Sequence, residues 1–175
     1  LAENFPQQTF FAALTSIHWR EAWKYGERAF RYCQHDAGHA LAALVFSAAC
    51  LGRRVVVLDA LADSDIAALL GLNRPDDFNS TETEAPDFVA AVVPADVDSV
   101  PRTLSSESIR LVETSDWFGT ANALSKERVE WPIIDDVAAA TEKPATKASP
   151  WRKRDTAPSP SEPDEPPARS IIRQR

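Results

Sequence analysis

Between Arg28 and Leu51 the chain reads RAFRYCQHDAGHALAALVFSAACL without a proline, and its apolar residues fall at Phe30, Cys33, Ala37, Ala40, Leu41, Leu44, Val45, Ala48 and Leu51. That spacing follows the i, i+3, i+4, i+7 rule of an α-helix. The second half is apolar nearly all round, which predicts a helix buried on most of its sides rather than one lying on a surface. As an uninterrupted apolar stretch it falls well short of the roughly 20 residues that span a bilayer, so no membrane partner is expected. Gly52 supplies the usual C-terminal stop.

The residues that follow alternate in type. Arg53-Arg54-Val55-Val56-Val57-Leu58 is a β-branched run bounded by charge, which predicts a central strand covered on both faces. Asp63 or Ser64 then caps a brief helix, Ile66 to Leu70, terminated by Gly71. A polar loop from Asn73 to Pro86 leads to a second strand, Phe88 to Val93, stopped by Pro94. A last helix is expected from Pro132 to Ala140, with Pro132 suited to the first turn. Helix, strand, short helix and strand in this order imply an α+β or α/β layer structure with helices against a sheet.

A chain of 175 residues, 44% hydrophobic and 26% charged, supports one sizeable core. Its charge is split: residues 1–140 carry 11 basic and 21 acidic side chains, a formal −10, and residues 141–175 carry 8 and 5, a formal +3. A compact region at −10 repels a phosphate backbone, so nucleic acid is not an expected partner. Seven of the 13 prolines lie between Thr141 and Ala168, in a stretch made mostly of Lys, Thr, Ser, Pro, Asp and Glu. Such a composition buries little and favours an extended form, so 142–168 reads as a disordered linker. Apolar character returns at Ile171-Ile172. The chain has no methionine and begins in mid-pattern at Leu1, which suggests an internal piece of a longer protein. Cys33 and Cys50 lie on one predicted helix about 25 Å apart and cannot bridge. With no signal-like segment, a reducing cytoplasmic setting is the expectation.

Functional groups are densest from Ile17 to His39, where five aromatics, four bases and all three histidines fall within 23 residues. The simplest account is an amphipathic helix. Against it stands Lys24-Tyr25-Gly26, in which a glycine interrupts two helical patterns directly after an amine and a phenol and so exposes both at an element terminus. His35 and His39 share a helix face at i, i+4, but Asp36, His18 and Cys33 complete no recognisable zinc spacing, and no metal is expected. Neither cysteine has a His and Asn/Asp partner set, and Cys50 reads as a small hydrophobe. Asp135 and Asp136 point about 100° apart on a helix and form no carboxylate pair. Five glycines in the whole chain spell neither GxGxxG nor a P-loop.

The block Trp23-Lys-Tyr-Gly-Glu-Arg-Ala-Phe-Arg-Tyr-Cys-Gln-His-Asp-Ala-Gly-His-Ala40, followed by an apolar helix ending Leu51-Gly52, resembles the central segment of the nitroreductase superfamily, specifically the SagB/ThcOx-type flavin-dependent dehydrogenases. The Lys-Tyr-Gly, Arg-Tyr and Asp-Ala-Gly-His elements recur in order and spacing, and the likeness extends more loosely to Thr141. It implies a nitroreductase-like α/β sandwich around an antiparallel-rich sheet, with FMN at a dimer interface and the Arg28–Leu51 helix at its centre. It also implies an FMN-dependent oxidoreductase acting on a small-molecule or peptide substrate, with azolines, nitro compounds and quinones as candidates and NAD(P)H as a candidate hydride donor. The family's Lys-Tyr pair falls on Lys24 and Tyr25, and a lysine whose pKa is lowered by burial, or a well-placed phenol, would serve as the base. The phosphate-binding motif expected near the start of such a unit is absent from this chain's beginning. Ile171-Ile-Arg-Gln-Arg175 is similar to the lead-in to that motif, which makes Arg175 the candidate cofactor ligand.

The resemblance therefore divides the chain into the C-terminal part of a nitroreductase-like unit (1–141), the linker (142–168) and the start of a second unit (169–175). Such units would pair as a homodimer or an intrachain pseudo-dimer. In isolation the piece is expected to leave apolar helix surface uncovered, and therefore to associate. The alternative from another class is a nitroreductase-like scaffold that binds or dimerises without catalysis. A third is a plain α/β domain with an interaction tail at Trp151-Arg-Lys-Arg154.

Overall fold

The computed structural model describes residues 4–78, 83–119, 121 and 129–148. Three strands, β1 (Phe10–Ser16), β2 (Arg53–Val57) and β3 (Ala85–Pro94), form one antiparallel sheet in the order β1-β3-β2. Five α-helices accompany it: α1 (His18–Tyr25), α2 (Ala29–Cys50), α3 (Asp63–Leu70), α4 (Ser106–Glu113) and α5 (Pro132–Ala140). The class is α+β, as expected.

Period-2 alternation along β3 explains the layering. Val89, Ala91 and Val93 point to one face, where they pack with Val56, Leu58, Leu61, Ile66 and Leu104 in the main core. Ala90 and Val92 are equally buried and point to the opposite face, along which α2 runs. A second cluster, Trp19, Ala22, Ala29 and Ile134, joins α1, α2 and α5. The central strand is therefore β3. The expectation that Arg53–Leu58 is central is corrected: β2 pairs only with β3, and its register (Arg53 with Pro94, Val55 with Val92) leaves its other edge unpaired among the described residues. Charge at its start is satisfied locally, since Arg54 donates to the Val97 carbonyl just past β3 at 2.7 Å.

Helix ends follow local chemistry. Gly71 stops α3 in the left-handed conformation at φ 71° and donates to the Ala67 carbonyl. The start of α3 differs in detail from the sequence reading, since Ala62 is the N-cap and the Asp65 carboxylate accepts its N–H at 2.9 Å. Ordered structure also continues past Thr141 into the segment read as linker. Asp63 and Lys143 exchange hydrogen bonds of 2.9 and 2.8 Å, and Thr146 donates from N and Oγ1 to the carbonyls of Ala60 and Asp59. Asp59 in turn accepts a two-pronged hydrogen bond from Arg102, 2.7 Å on each prong. The rest of the linker expectation, from 149 onward, lies outside the described residues.

The largest correction concerns α2. Only Ala29, Cys33 and Ala48 of its residues are buried. Phe46 is 73% exposed and Leu51, just past its end, 76% exposed. The physical reason is that one helix has about 360° of surface to cover and the described elements cover one side of it. No helix among the described residues is long and apolar enough to cross a membrane.

Candidate functional site

Two places bring functional groups together. The first is the corner between α1 and α2. Gly26, at φ 58°, ends α1 directly after Lys24 and Tyr25, and an added Cβ would stand 3.2 Å from the Trp131 ring, so close packing and backbone both require glycine. The turn lays the Tyr25 ring against Tyr32 of α2, with centroids 4.1 Å apart and planes at 26°. Lys24 places its ammonium 4.8 Å from the centre of the Tyr25 ring. This ammonium is fully exposed, and its hydrogen bond with Tyr25 raises its pKa above the ordinary lysine value. The expectation of a Lys24 pKa lowered by burial is thus corrected: exposed and hydrogen-bonded, Lys24 is a cation. Arg28 and Arg31 stand exposed on the same corner. His35 accepts a long hydrogen bond from Arg31, 3.4 Å, and His39 approaches Asp36 at 3.8 Å.

The second place is a cavity of about 550 Å³ between the layers. His18 and Phe30 form one wall, Asp87 and Pro86 another, and Asp63, Glu142 and Lys143 its rim. A β-bulge builds it. The β1/β3 register jumps from Leu14–Phe88 to Thr15–Pro86, so Asp87 has no partner across the ladder and its side chain is re-aimed. Ser16 donates to Asp87 Oδ2 at 2.7 Å, whereas Asp87 Oδ1 is buried without a partner. Burial raises the Asp87 pKa, against the Ser16 hydrogen bond. His18 opens α1 with its ring tilted against Phe30, centroids 5.0 Å apart, and its Nε2 is likewise buried and unpartnered.

Burial also lowers the His18 pKa below 6.5, the Asp135 carboxylate opposing the shift. The folded protein therefore refuses a proton that the unfolded chain accepts, so this contribution to stability is present above pH 6.5 and is lost as pH falls from there through the lower pKa of the folded state. Thermal midpoints should drop as pH falls below 6.5, and His18→Phe should flatten that part of the profile. An unchanged slope in the variant would assign the drop to other groups.

The cysteines differ in the same physical terms. Desolvation first, then nearby carboxylates, push the buried Cys33 thiol up to about 11, whereas Cys50 is exposed. A thiol reagent at pH 8 should label Cys50 in the native protein and Cys33 only on unfolding, because the thiolate is the reactive form. Equal native rates would contradict this burial.

The FMN that the resemblance implies needs cations or backbone N–H groups converging on its phosphate. Asp63, Asp87 and Glu142 line the large cavity, and a smaller one by Phe5 and Ser105 is lined by no charged residue. Neither fits a phosphate. Arg175, the candidate ligand, lies outside the described residues, as does Trp151–Arg154. Among the described residues no group of three or more His, Cys, Asp or Glu could hold a metal ion. The sequence reading singled out Lys24 and Tyr25 but gave Asp87 no role, since only the bulge, which pairing across distant strands creates, turns it inward. The chain matches no protein-family model, no curated protein and no solved structure.

Proposed function

We propose that the chain forms part of an FMN-dependent oxidoreductase of the nitroreductase type, in which this segment supplies the proton-handling corner and an association surface. The observation that carries the reading is the Lys24–Tyr25–Tyr32 stack at the head of α2, on the block that resembles the flavin dehydrogenases. Flavin, which another part of the assembly would have to hold, would supply the hydride acceptor or donor. Because neither of the two cavities described above suits a phosphate, the cofactor contacts are assigned to a second unit, in another copy or elsewhere in the same protein. Tyr25 is the proton acceptor at its Oη. Lys24, a cation, orients the phenol and carries positive charge to the substrate's edge. The α+β layering and the long α2 helix support the reading at the level of architecture.

The experiment is purification of the whole natural protein that contains residues 1–175, followed by spectroscopy. Bound flavin at about one FMN per site, retained through gel filtration, supports the proposal. A colourless protein that stays colourless after incubation with FMN overturns it.

The uncovered face of α2 favours a second reading, an association module without catalysis. Val45 and Phe46 of α2 and Leu51 just past its end are exposed large apolar groups, and exposed apolar surface of this kind marks an interaction surface when it is contiguous. The readings separate on whether bound flavin turns over.

A further inference from the structure

We propose that the free edge of β1 is a dimerisation surface: two copies of the chain pair their β1 strands antiparallel about a two-fold axis at Ala13, joining the two sheets into one. The pairing is independent of flavin. β1 hydrogen-bonds to β3 along one side only, and among the described residues no backbone group pairs with its other side. An edge strand of this kind presents a row of N–H and C=O groups to any other strand, and folded proteins blunt it with charge, proline, a bulge or a cover. β1 carries none of the first three. Its seven residues, FFAALTS, include no charged side chain and no proline, and the extra residue opposite Leu14 and Thr15 belongs to β3. Phe10 and Ala13 are exposed, so the strand is not fully covered either. The other edge strand, β2, differs in opening on Arg53 and Arg54.

The strand itself selects a second copy as the occupant. Pairing about Ala13 engages all seven residues and sets Phe10 opposite the partner's Ser16, Phe11 opposite the partner's Thr15 and Leu14 opposite the partner's Ala12. Each larger side chain then meets a smaller one on the same face of the sheet, the arrangement in which cross-strand pairs interact. Charge selects the antiparallel sense. At one end of β1 the Arg53 guanidinium lies 5.6 Å from the centre of the Phe10 ring. At the other end Thr15 and Ser16 donate to the Glu84 and Asp87 carboxylates, at 2.7 Å each. An antiparallel pair brings the cationic end of each strand to the carboxylate end of the other, whereas a parallel pair sets like beside like. A two-fold contact is also closed: it uses up both β1 edges and stops at two copies.

The test is sedimentation equilibrium of the full 175-residue chain, where a reversible monomer–dimer equilibrium is expected between about 1 and 200 µM. Ala13→Glu places two carboxylates opposite each other at the axis and should weaken the dimer by about tenfold or more. Ala13→Lys should do the same with two ammonium groups. An equal mixture of the two variants should regain a dimer within about threefold of the natural affinity, because each carboxylate then faces an ammonium. A natural chain that stays monomeric throughout overturns the proposal. So does a dimer that survives Ala13→Glu, which is then held elsewhere, or a mixture of the variants that stays monomeric. If the variants do not fold, amide hydrogen exchange of the natural chain decides. Alternate amides of Phe10–Ser16 should exchange at least about threefold more slowly at the high end of that concentration range than at the low end, and rates independent of concentration exclude the pairing.

Discussion

Tyr25→Phe, introduced into the flavin-loaded protein, should lower turnover by about a hundredfold while FMN remains bound and the fold stays intact. A positioned proton acceptor contributes roughly 10² to 10⁴ in rate, and removing one hydroxyl oxygen deletes that contribution alone. The ring remains, so the 4.1 Å stack on Tyr32 and the Lys24 ammonium's approach to the ring are kept, and only the hydrogen bond between Lys24 and the phenol goes with the hydroxyl. A purely structural tyrosine at this corner would give a different signature, with a lowered thermal midpoint and little change in rate. Lys24→Met should reduce kcat less than Tyr25→Phe does and should change its pH dependence, because it removes a cation rather than the base. Turnover of Tyr25→Phe within twofold of the natural protein would remove Tyr25 from the mechanism.

Leu61→Ala should destabilise the fold by about 2–5 kcal/mol, a large part of the roughly 5–15 kcal/mol that holds a domain of this kind together. Leu61 is 1% exposed and sits in the turn between β2 and α3, where it packs with Val56, Leu58, Ile66 and Leu104. Its backbone N–H donates to Leu58 at 3.2 Å and its carbonyl accepts from Lys143, so the surroundings are pinned and cannot collapse into the space left behind. A thermal midpoint lowered by about 10 °C is expected, against a change near zero for Val45→Ala on the exposed side of α2. Equal effects of the two substitutions would mean that the α2 face is covered in solution and that the core lies elsewhere.

The contrast between these two leucine-rich regions shows what local sequence carries. The bounds of α2 and α5 were nearly readable because they are written locally. Pro132 opens α5, and Leu51-Gly52 closes α2 one residue later than Cys50. The burial of α2 was not readable. Apolar residues on every side state what the helix can bury, and only the neighbouring elements decide what it does bury. β1 is not marked locally for a related reason: Phe10–Ser16 mixes exposed and half-buried positions without strict alternation, because it is an edge strand paired across the bulge in β3. α4 is faint because its single local mark is the Ser105 cap, whose Oγ accepts from the Ser108 N–H at 3.1 Å.

The two candidate sites divide in the same way. Lys24, Tyr25 and Gly26 are consecutive, so a helix break made their exposure legible. His18 and Asp87 are 69 residues apart and come to line one cavity only through the antiparallel pairing of β1 with β3. Even at the legible corner, the state of Lys24 differed from expectation. Composition can suggest an amine for general-base work, but its exposure and its hydrogen bond to a phenol keep it charged.

The most direct measurement is anaerobic reduction of the FMN-loaded whole protein that contains this chain. Addition of NADPH should bleach the flavin absorbance, and an added quinone should restore it, over repeated cycles and at a rate faster than free FMN supports. Protein that binds FMN but shows neither bleaching nor recovery with any nicotinamide or quinone would contradict an oxidoreductase and leave the association module in its place.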